Sequence, residues 1–479
     1  MGQERSLRRR PTAIRSVTKL YRKYNESFAF SYQAIATTNP LLASIKQKLN
    51  RVPEFLGDSC TSMVPRALRK VNEDAYTPQV VSIGPYHCRA ERLQIMEQHK
   101  VRYLSDFFDR KPKNDLETFV KKLEADEEIC LQFYGLSKQE DSKKFVEMML
   151  FDGCFILELM FKHLEYKEEE GVMRDPLFGI HSMITALRVD MLLLENQFPL
   201  DILEQLFVLF TGEDDQVFNY TPFVDLILNF FNFQSLVNIA NDLPRDKGEG
   251  TDEGHGIMHF LDLLRECCLP TFPIPPEDTP TEDYKDHNFI PSATELHEAG
   301  IKFKKVDGNC FLDLKFSSRR TGLTTWGIFE IPPLTVQDTT EVIFRNLIAF
   351  EQCYKPSGKQ HLSHYMALLD FLINSPKDVA LLRRTGIINN LLGDNEQVSA
   401  LFNRIFVGVT VFAGNFSFDM LCKDVTVYYN TPWHSFQAML DREYFYSPWS
   451  TASSIAVIIV VVCTIIQAVC SVISVIPGK

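Results

Sequence analysis

Residues 143–164 read KKFVEMMLFDGCFILELMFKHL. After the two lysines, apolar side chains fall on every side of a helix drawn through this stretch, and few charged residues interrupt them. A helix that is apolar all round is buried on all its sides. We therefore expect a central helix here, with the rest of a mainly helical fold packed around it.

Further helices are predicted on both sides of this stretch. Residues 91–108 carry apolar side chains at helical spacing, and Lys100 occupies one of the same positions. Residues 182–210 are largely apolar, and Pro199 should break or kink that helix. Helical periodicity returns at residues 340–354, 365–373 and 396–411.

A small β element is predicted in the second half of the chain. Short alternating apolar patterns at residues 301–306, 310–316 and 327–331 are typical of a small antiparallel sheet. The predicted fold class is therefore mainly α with a small antiparallel β element. A multi-helix body precedes one C-terminal transmembrane helix.

Composition divides the chain into five regions. Six prolines and five acidic residues between positions 269 and 291 predict a Pro-rich acidic linker. The other predicted regions are a basic, flexible arm at 1–50, an N-terminal helical region at 51–268, a C-terminal α+β region at 292–443, and an aromatic belt with a transmembrane anchor at 444–476.

Charge is distributed unevenly along the 479 residues. The net charge of −12 argues against a dedicated nucleic-acid-binding protein, which needs a basic face. Residues 1–62 nevertheless carry eleven Lys and Arg against four acidic residues. A solvated arm is the simpler interpretation. The alternatives are binding to an anionic surface such as lipid head groups or RNA, and a role as an organelle transit peptide.

The C-terminal end predicts a membrane anchor. Residues 455–476 read IAVIIVVVCTIIQAVCSVISVI, 22 residues without a charge, and this length covers a hydrocarbon core of about 30 Å. Tyr444, Tyr446 and Trp449 precede it, as expected for an aromatic belt at one membrane interface. No apolar core follows the N-terminal arginines, so we expect no secretory signal peptide, a single-pass protein and a body that faces the cytosol.

Polar and small side chains recur on one side of the anchor. They are Cys463, Gln467, Cys470, Ser471 and Ser474. Small residues allow two helices to approach closely in lipid, and an amide can hydrogen-bond across their interface. A homo-oligomer formed through the anchor is one interpretation, and the other is that the membrane merely tolerates Gln467.

A second polar group interrupts apolar sequence inside the body. It consists of Asp190, Glu195, Asn196 and Gln197, and Asp152 lies within the central helix. Buried carboxylates must be paired, hydrogen-bonded or protonated. We expect a structural polar network, with Arg188 or Asn346 as partners. The alternative is acid–base chemistry by Asp152, Asp190 and Glu195 in a helical pocket.

No other pattern predicts a catalytic, cofactor or metal site. A turn places His87 after Gly84, and a catalytic or ligand role for His87 is the less favoured interpretation. His255 and His259 have the spacing of two ligands on a helix, without the glutamate of an HExxH motif. Phosphate-binding loops and a nucleophile elbow are absent from the sequence. The eleven cysteines include no C-x-x-C pair, which favours a reduced compartment.

Several blocks of sequence are specific when taken together. They are VPRALRKVNEDAYTPQVVSIGPYH (64–87), FVEMMLFDGCFILEL (145–159), DMLLLENQFPLDIL (190–203), SATELHEAGIKFK (292–304), IPPLTVQDTTEVIFRNLIAFEQC (331–353) and the YFYSPWS tail before the anchor. In this order the blocks resemble a plant family known as domain of unknown function 247, or uncharacterised protein family 0481. The resemblance covers residues 60 to 476 and supplies no catalytic residues.

The resemblance implies a function in recognition. Some members of the family are linked to reproductive recognition in plants, such as pollen self-incompatibility. We therefore expect a membrane-anchored recognition or scaffold protein that binds the lipid bilayer and protein partners but not nucleic acid. An enzyme of unfamiliar chemistry remains the alternative.

Overall fold

The computed structural model describes residues 63–137, 141–168, 175–212, 223–233, 256–269, 290–306, 310–321, 324–356, 359–411, 416–444 and 448–475. The chain divides into two compact units, residues 1–58 and 59–479. The first unit, with the predicted basic arm, lies outside the described residues. So does most of the predicted linker.

The N-terminal part of the body is helical. Its helices are α1 (Arg66–Arg69), α2 (Gln94–Arg110), α3 (Leu116–Ala125), α4 (Glu127–Phe133), α5 (Ser142–Glu168), α6 (His181–Asp190), α7 (Leu200–Thr211), α8 (Phe223–Phe231) and α9 (Phe260–Cys268). Of these, α5 is the predicted central helix, and it packs against α2, α3, α7 and α8. Cys154, Phe155, Ile156 and Leu157 are buried in succession, so every side of α5 faces other parts of the protein.

The predicted break at Pro199 is confirmed, and it is longer than one kinked residue. Helix α6 ends at Asp190, and α7 begins after Pro199. The intervening residues, 191–199, form turns and loop, and all of them are buried. A buried loop must find hydrogen-bond partners for its backbone outside any helix or strand. This requirement determines the chemistry of the polar residues within it.

The small sheet is mixed, with both antiparallel and parallel pairing. Its strands are β1 (Ile301–Lys305), β2 (Lys315–Thr321) and β3 (Thr324–Ile331), in the order β1-β3-β2. β2 and β3 pair antiparallel, as predicted, but β1 pairs parallel with β3. The strand predicted at 310–316 instead begins at Lys315, because the buried Phe311 and Leu312 lie in a turn that fills the core. A second, parallel pair joins β4 (Leu334–Val336) to β5 (Ile388–Asn390).

The C-terminal part of the body adds helices around these strands. They are α10 (Ala293–Glu298), α11 (Thr340–Tyr354), α12 (His361–Leu372), α13 (Pro376–Arg384), α14 (Asn395–Ile405), α15 (Asp419–Tyr429) and α16 (Pro432–Tyr444). The mainly helical fold class with a small sheet is thus confirmed. Ser292 and Ser375 begin α10 and α13 with capping boxes, which satisfy backbone N–H groups in the first turn.

The predicted N-terminal and C-terminal regions contribute to one hydrophobic core. Arg265 of α9 and Glu351 of α11 form a buried ion pair with an Nε–Oε1 distance of 3.0 Å. Glu351 also accepts hydrogen bonds from the backbone N–H groups of Leu362 and Ser363. The domain boundaries drawn from composition remain predictions.

The last described helix is α17 (Pro448–Val475). No part of residues Thr451–Ser471 is buried inside the body, and this helix is long and apolar enough to cross a membrane. Tyr444 and Trp449 are exposed at its start. Tyr446 lies outside the described residues.

Candidate functional site

The candidate site is a buried polar network around residues 77–87, which form neither helix nor strand. Val81, Ser82 and Ile83 in this segment are fully buried. Their backbone N–H and C=O groups therefore need partners within the protein. The predicted polar residues supply most of them.

Asp190 binds the first part of this segment. Its carboxylate accepts hydrogen bonds from the backbone N–H groups of Gln79 (2.9 and 3.0 Å), Val80 (2.6 Å) and Val81 (2.9 Å). Burial raises the pKa of Asp190, while the three backbone donors act in the opposite direction. The carboxylate is thus surrounded by main-chain donors on a single loop.

Asn196 binds the next residues. Its Oδ1 accepts the N–H of Ile83 at 2.7 Å, and its Nδ2 donates to the carbonyl oxygens of Val81 (3.0 Å) and Asp190 (2.9 Å). A carboxamide matches this arrangement, since it offers both an acceptor and two donors. Asn196 therefore joins the segment to the end of α6.

Asp152 and Lys100 hold Ser82 and Gly84. Oδ2 of Asp152 accepts the Gly84 N–H at 2.8 Å, and Nζ of Lys100 donates to the Ser82 carbonyl at 2.6 Å and to Oδ1 of Asp152 at 2.5 Å. Burial disfavours the charged form of Lys100, but the carboxylates of Asp152 and Glu97 outweigh it and raise the Lys100 pKa. The charge of Asp152, within the apolar α5, is thereby compensated.

Glu195 connects the network to the partly exposed side chains of Arg69 and His87. Its fully buried carboxylate accepts the Val64 N–H, pairs with Arg69, and lies 3.0 Å from Nε2 of His87. Burial opposes ionisation, yet the hydrogen bonds from His87, Arg69 and Val64 hold the pKa of Glu195 below its usual range. Glu195 is therefore an anionic anchor for three separate chain positions.

The side chain of Gln197 hydrogen-bonds to backbone carbonyl groups of the turn in which it lies. Its Nε2 donates to the carbonyl oxygens of Met191 (2.8 Å) and Leu193 (2.6 Å), and its Oε1 accepts the Leu261 N–H at 3.2 Å. Its own carbonyl accepts a 3.0 Å hydrogen bond from the Tyr134 hydroxyl. Gln197 thus connects residues 191–197 with the start of α9.

Asn346, one of the two partners suggested by the sequence, completes the network from α11. Its Oδ1 accepts the Leu194 N–H at 2.9 Å, and its Nδ2 donates to the carbonyl oxygens of Ala75 (2.7 Å) and Val342 (2.8 Å). The other suggested partner, Arg188, instead lies 3.1 Å from Nε2 of His163. A residue of the C-terminal part therefore closes a network built by the N-terminal part.

The arrangement uses carboxylates chiefly as acceptors for backbone and cationic donors. His87 is the partly exposed member, and its neighbour Cys88 is the closest thiol in the sequence. Burial raises the pKa of the Cys88 thiol, and its Sγ donates to the Pro85 carbonyl at 3.3 Å. A reactive thiol needs the opposite shift, so the geometry does not favour a Cys–His nucleophile here.

Only His259 of the His255 and His259 pair lies in the part of the chain that the structure describes. His255 lies outside it, and His259 is the N-cap of α9, with its Nδ1 accepting the Asp262 N–H at 3.1 Å. Across the described ranges, no cluster of three or more His, Cys, Asp or Glu residues could hold a metal ion.

Sequence reasoning missed two further buried ionic groups. One joins Arg110 of α2 to Glu158 of α5, with Nε–Oε2 at 2.6 Å. The other joins Lys162 of α5 to Asp175, with Nζ–Oδ2 at 2.8 Å, and Asp175 also accepts the Tyr103 hydroxyl at 3.0 Å. The sequence did contain a sign of these groups, because charged residues occupy positions on the apolar faces of α2 and α5. Lys100 is another charged residue at such a position.

Comparison with known proteins agrees with the resemblance described above. A family described as plant protein of unknown function, DUF247, matches residues 62–463. UPF0481 protein At3g47200 of Arabidopsis thaliana is 30% identical over 451 residues, which cover 88% of this chain and 87% of the relative. Putative UPF0481 protein At3g02645 of the same plant is 25% identical over 488 residues, covering 84% and 88% respectively. No solved structure matches the chain. The chain therefore belongs to the DUF247 family of plant proteins.

Proposed function

We propose that this protein is a membrane-anchored recognition or scaffold protein without catalytic activity. The observation that carries the proposal is α17, 28 residues long, whose apolar side chains between Thr451 and Ser471 are not covered by the body. Exposed apolar surface of this extent is unfavourable in water and is typical of a membrane-spanning helix. The bilayer is thus the first proposed partner.

The polar network supports a structural body rather than an active site. Asp152, Asp190 and Glu195 all accept hydrogen bonds from backbone N–H groups of residues 64–84. A general base needs a carboxylate oxygen directed at a substrate, whereas these oxygens are directed at main-chain N–H groups and at the side chains of Lys100, Arg69 and His87. Their arrangement supports the role of holding a buried loop.

A cytosolic position of the body is part of the proposal. The ten cysteines of the described residues are free thiols, and several are buried among apolar side chains. Free thiols are the normal state in a reducing compartment. The acidic net charge of −12 supports protein partners rather than nucleic acid.

Protease protection of intact membranes, with a tag at the N-terminus, tests the anchor and the orientation. We expect the tag and the body to be digested from the cytosolic side, while a fragment containing α17 stays with the membrane. Complete protection of the tag would contradict the cytosolic position. Recovery of the whole protein in the soluble fraction would contradict the anchor.

The competing hypothesis, an enzyme that uses the buried carboxylates, has its own test. The variant Asp152→Asn, Asp190→Asn, Glu195→Gln removes three charges with little change in side-chain volume. We expect it to unfold or to lose much of its stability, because at each position one acceptor oxygen becomes an NH2 donor that faces another buried donor. Unchanged stability together with the loss of a measured turnover would instead support the enzyme.

The finer proposal, that recognition takes place during reproduction, is supported by the family resemblance alone. A plant line lacking this protein tests it through acceptance or rejection of self pollen. Unchanged acceptance or rejection of self pollen would contradict a role in reproduction. It would not contradict the proposal of a membrane-anchored scaffold.

A further inference from the structure

The helix before the anchor, α16, is held on the body by one of its faces. The imidazole of His434 stacks on the ring of Tyr428 with 4.0 Å between centroids. Oε1 of Gln437 accepts the Thr325 N–H of β3 at 3.2 Å. Ala438 packs beside Gly300, where an added Cβ would lie 3.2 Å from it. Positions i, i+3 and i+4 share a face of a helix, so this side of α16 is fixed to the body.

The other face of α16 is apolar and exposed. Trp433 is 58% exposed, Phe436 45% and Met439 37%. The rings of Trp433 and Phe436 lie 5.8 Å apart. Steps of three residues place these side chains on one stripe, on a different side from Gln437 and Ala438. The helix is therefore amphipathic, and the described body leaves its apolar stripe partly exposed.

The stripe leads directly into the anchor. Helix α16 ends at Tyr444, and α17 begins at Pro448. The Ser454 hydroxyl in the first turns of α17 donates to the Tyr444 carbonyl at 3.2 Å, so the two helices are in contact at their junction. Trp449, 87% exposed, lies beside this junction. A bilayer that receives α17 therefore begins at the C-terminal end of α16.

We infer that α16 is an interfacial helix, with the side chains of Trp433, Phe436 and Met439 inserted between the head groups and acyl chains of the bilayer that holds α17. This inference rests on the proposed function, since it needs α17 in a membrane. Aromatic side chains are favoured at this depth, and amphipathic helices lie there with the apolar face inward. Because the stripe is continuous with the anchor, lipid is the partner that would cover it.

This contact has a consequence for the body. The opposite face of α16 is fixed to Tyr428, Thr325 and Gly300. When α16 lies in the membrane interface, it therefore determines which side of the body faces the membrane. A body attached only through the residues between α16 and α17 would instead be free to rotate. Helix α16 would thus give the anchored body a fixed orientation relative to the membrane.

The three tryptophans of the chain allow the test to be made on the full-length protein. Trp326, Trp433 and Trp449 are each retained alone, with the other two changed to Phe, and each protein is reconstituted into phosphatidylcholine bilayers brominated close to the head group. Trp449 reports on the anchor, Trp433 on α16, and Trp326 on the sheet. Near-UV circular dichroism verifies that each protein is folded.

We expect bromine to quench Trp433 to an extent comparable with Trp449, and to leave Trp326 unquenched. The emission of Trp433 should also lie at a shorter wavelength than in water. Adding Phe436→Ser and Met439→Ser to the Trp433-only protein should reduce its quenching. Adding Ile95→Ser and Val101→Ser, two exposed apolar residues of α2, should not.

The outcomes separate this inference from the proposed function. A quenched Trp449 with an unquenched Trp433 would overturn the interfacial helix and leave the anchor intact. An unquenched Trp449 would overturn the anchor itself. A Trp433 emission that shifts with protein concentration, without quenching by bromine, would assign the stripe to a second copy of the chain and so overturn the inference.

Discussion

The carboxylate of Asp190 and the backbone N–H of Val81 lie 2.9 Å apart, although 109 residues separate them in the chain. Gln79 and Val80 donate to the same carboxylate. A single side chain at the end of α6 therefore fixes three consecutive residues of a buried loop.

Replacing Asp190 with Asn should lower the free energy of unfolding by about 2–3 kcal/mol, because an NH2 donor would replace one carboxylate oxygen and face a backbone N–H that then lacks an acceptor. Urea denaturation of the protein in detergent measures this change. Asp424→Asn, at an exposed site on α15, is the matched control and should have little effect. Equal effects of the two substitutions would show that the Asp190 contacts do not stabilise the fold.

Replacing Gly84 with Ala should lower the free energy of unfolding by about 2–4 kcal/mol. Gly84 has φ +73°, and an added Cβ would lie 2.9 Å from the Tyr134 ring. Gly212→Ala is the control for a positive φ, because Gly212 has φ +66° but its added Cβ would meet nothing within 4 Å. The denaturation midpoints of the two variants should therefore differ, and identical midpoints would contradict the Tyr134 contact.

His364 should make the protein less stable as the pH falls. Burial, and then the neighbouring His361, lower the pKa of His364 from 6.5 to about 4. Between these two values the unfolded chain binds a proton that the folded protein does not. Stability should therefore decrease by at most about 1.4 kcal/mol per pH unit as the pH falls through this window.

The variant His364→Gln checks this dependence. Its stability, measured by urea denaturation from pH 4 to pH 8, should fall less steeply than that of the wild type below pH 6.5, and the two curves should run parallel above it. Parallel curves over the whole range would mean that His364 binds protons equally in both states.

Two charges in the middle of α17 should prevent its insertion. Val460→Arg with Val461→Arg adds about 2.5–3.5 kcal/mol per arginine at the centre of a membrane helix. Carbonate extraction of membranes should then release the protein, as should truncation after Ser447. Val460→Leu with Val461→Leu should remain in the pellet. Carbonate-resistant pelleting of the truncated chain would indicate a second anchor.

Self-association through the anchor is tested at Gln467. Cys463, Gln467 and Cys470 lie on one side of α17 and are exposed, and a hydrogen bond across two such helices typically contributes about 0.6–2 kcal/mol. Gln467→Leu should therefore weaken crosslinking of the isolated anchor, whereas Ile465→Leu should not. Ser471 is also exposed on α17, whereas the side chain of Ser474 lies outside the described residues. Unchanged crosslinking in Gln467→Leu would mean that any oligomer forms through the body.

The sequence predicted the helical class, the central position of α5 and the break at Pro199, because each depends on local periodicity or on a single residue. It located Asp152 and Asp190 as buried acids but did not identify their partners. Apart from Lys100, which pairs with Asp152, those partners are backbone groups of residues 79–84. Every residue has such groups, so no pattern distinguishes them. The parallel pairing of β1 with β3 escaped prediction because it joins strands separated by β2.

Asn346 connects to Leu194 across 152 residues. At a synthesis rate of about 5–20 residues per second, roughly 8 to 30 s pass between the appearance of these two residues on the ribosome. During this time the Leu194 N–H and the Ala75 carbonyl have no amide to bind, so the nascent N-terminal part cannot complete its interior. Premature termination before residue 346 thus yields a product that stays incomplete, with buried polar groups that cellular quality control can detect.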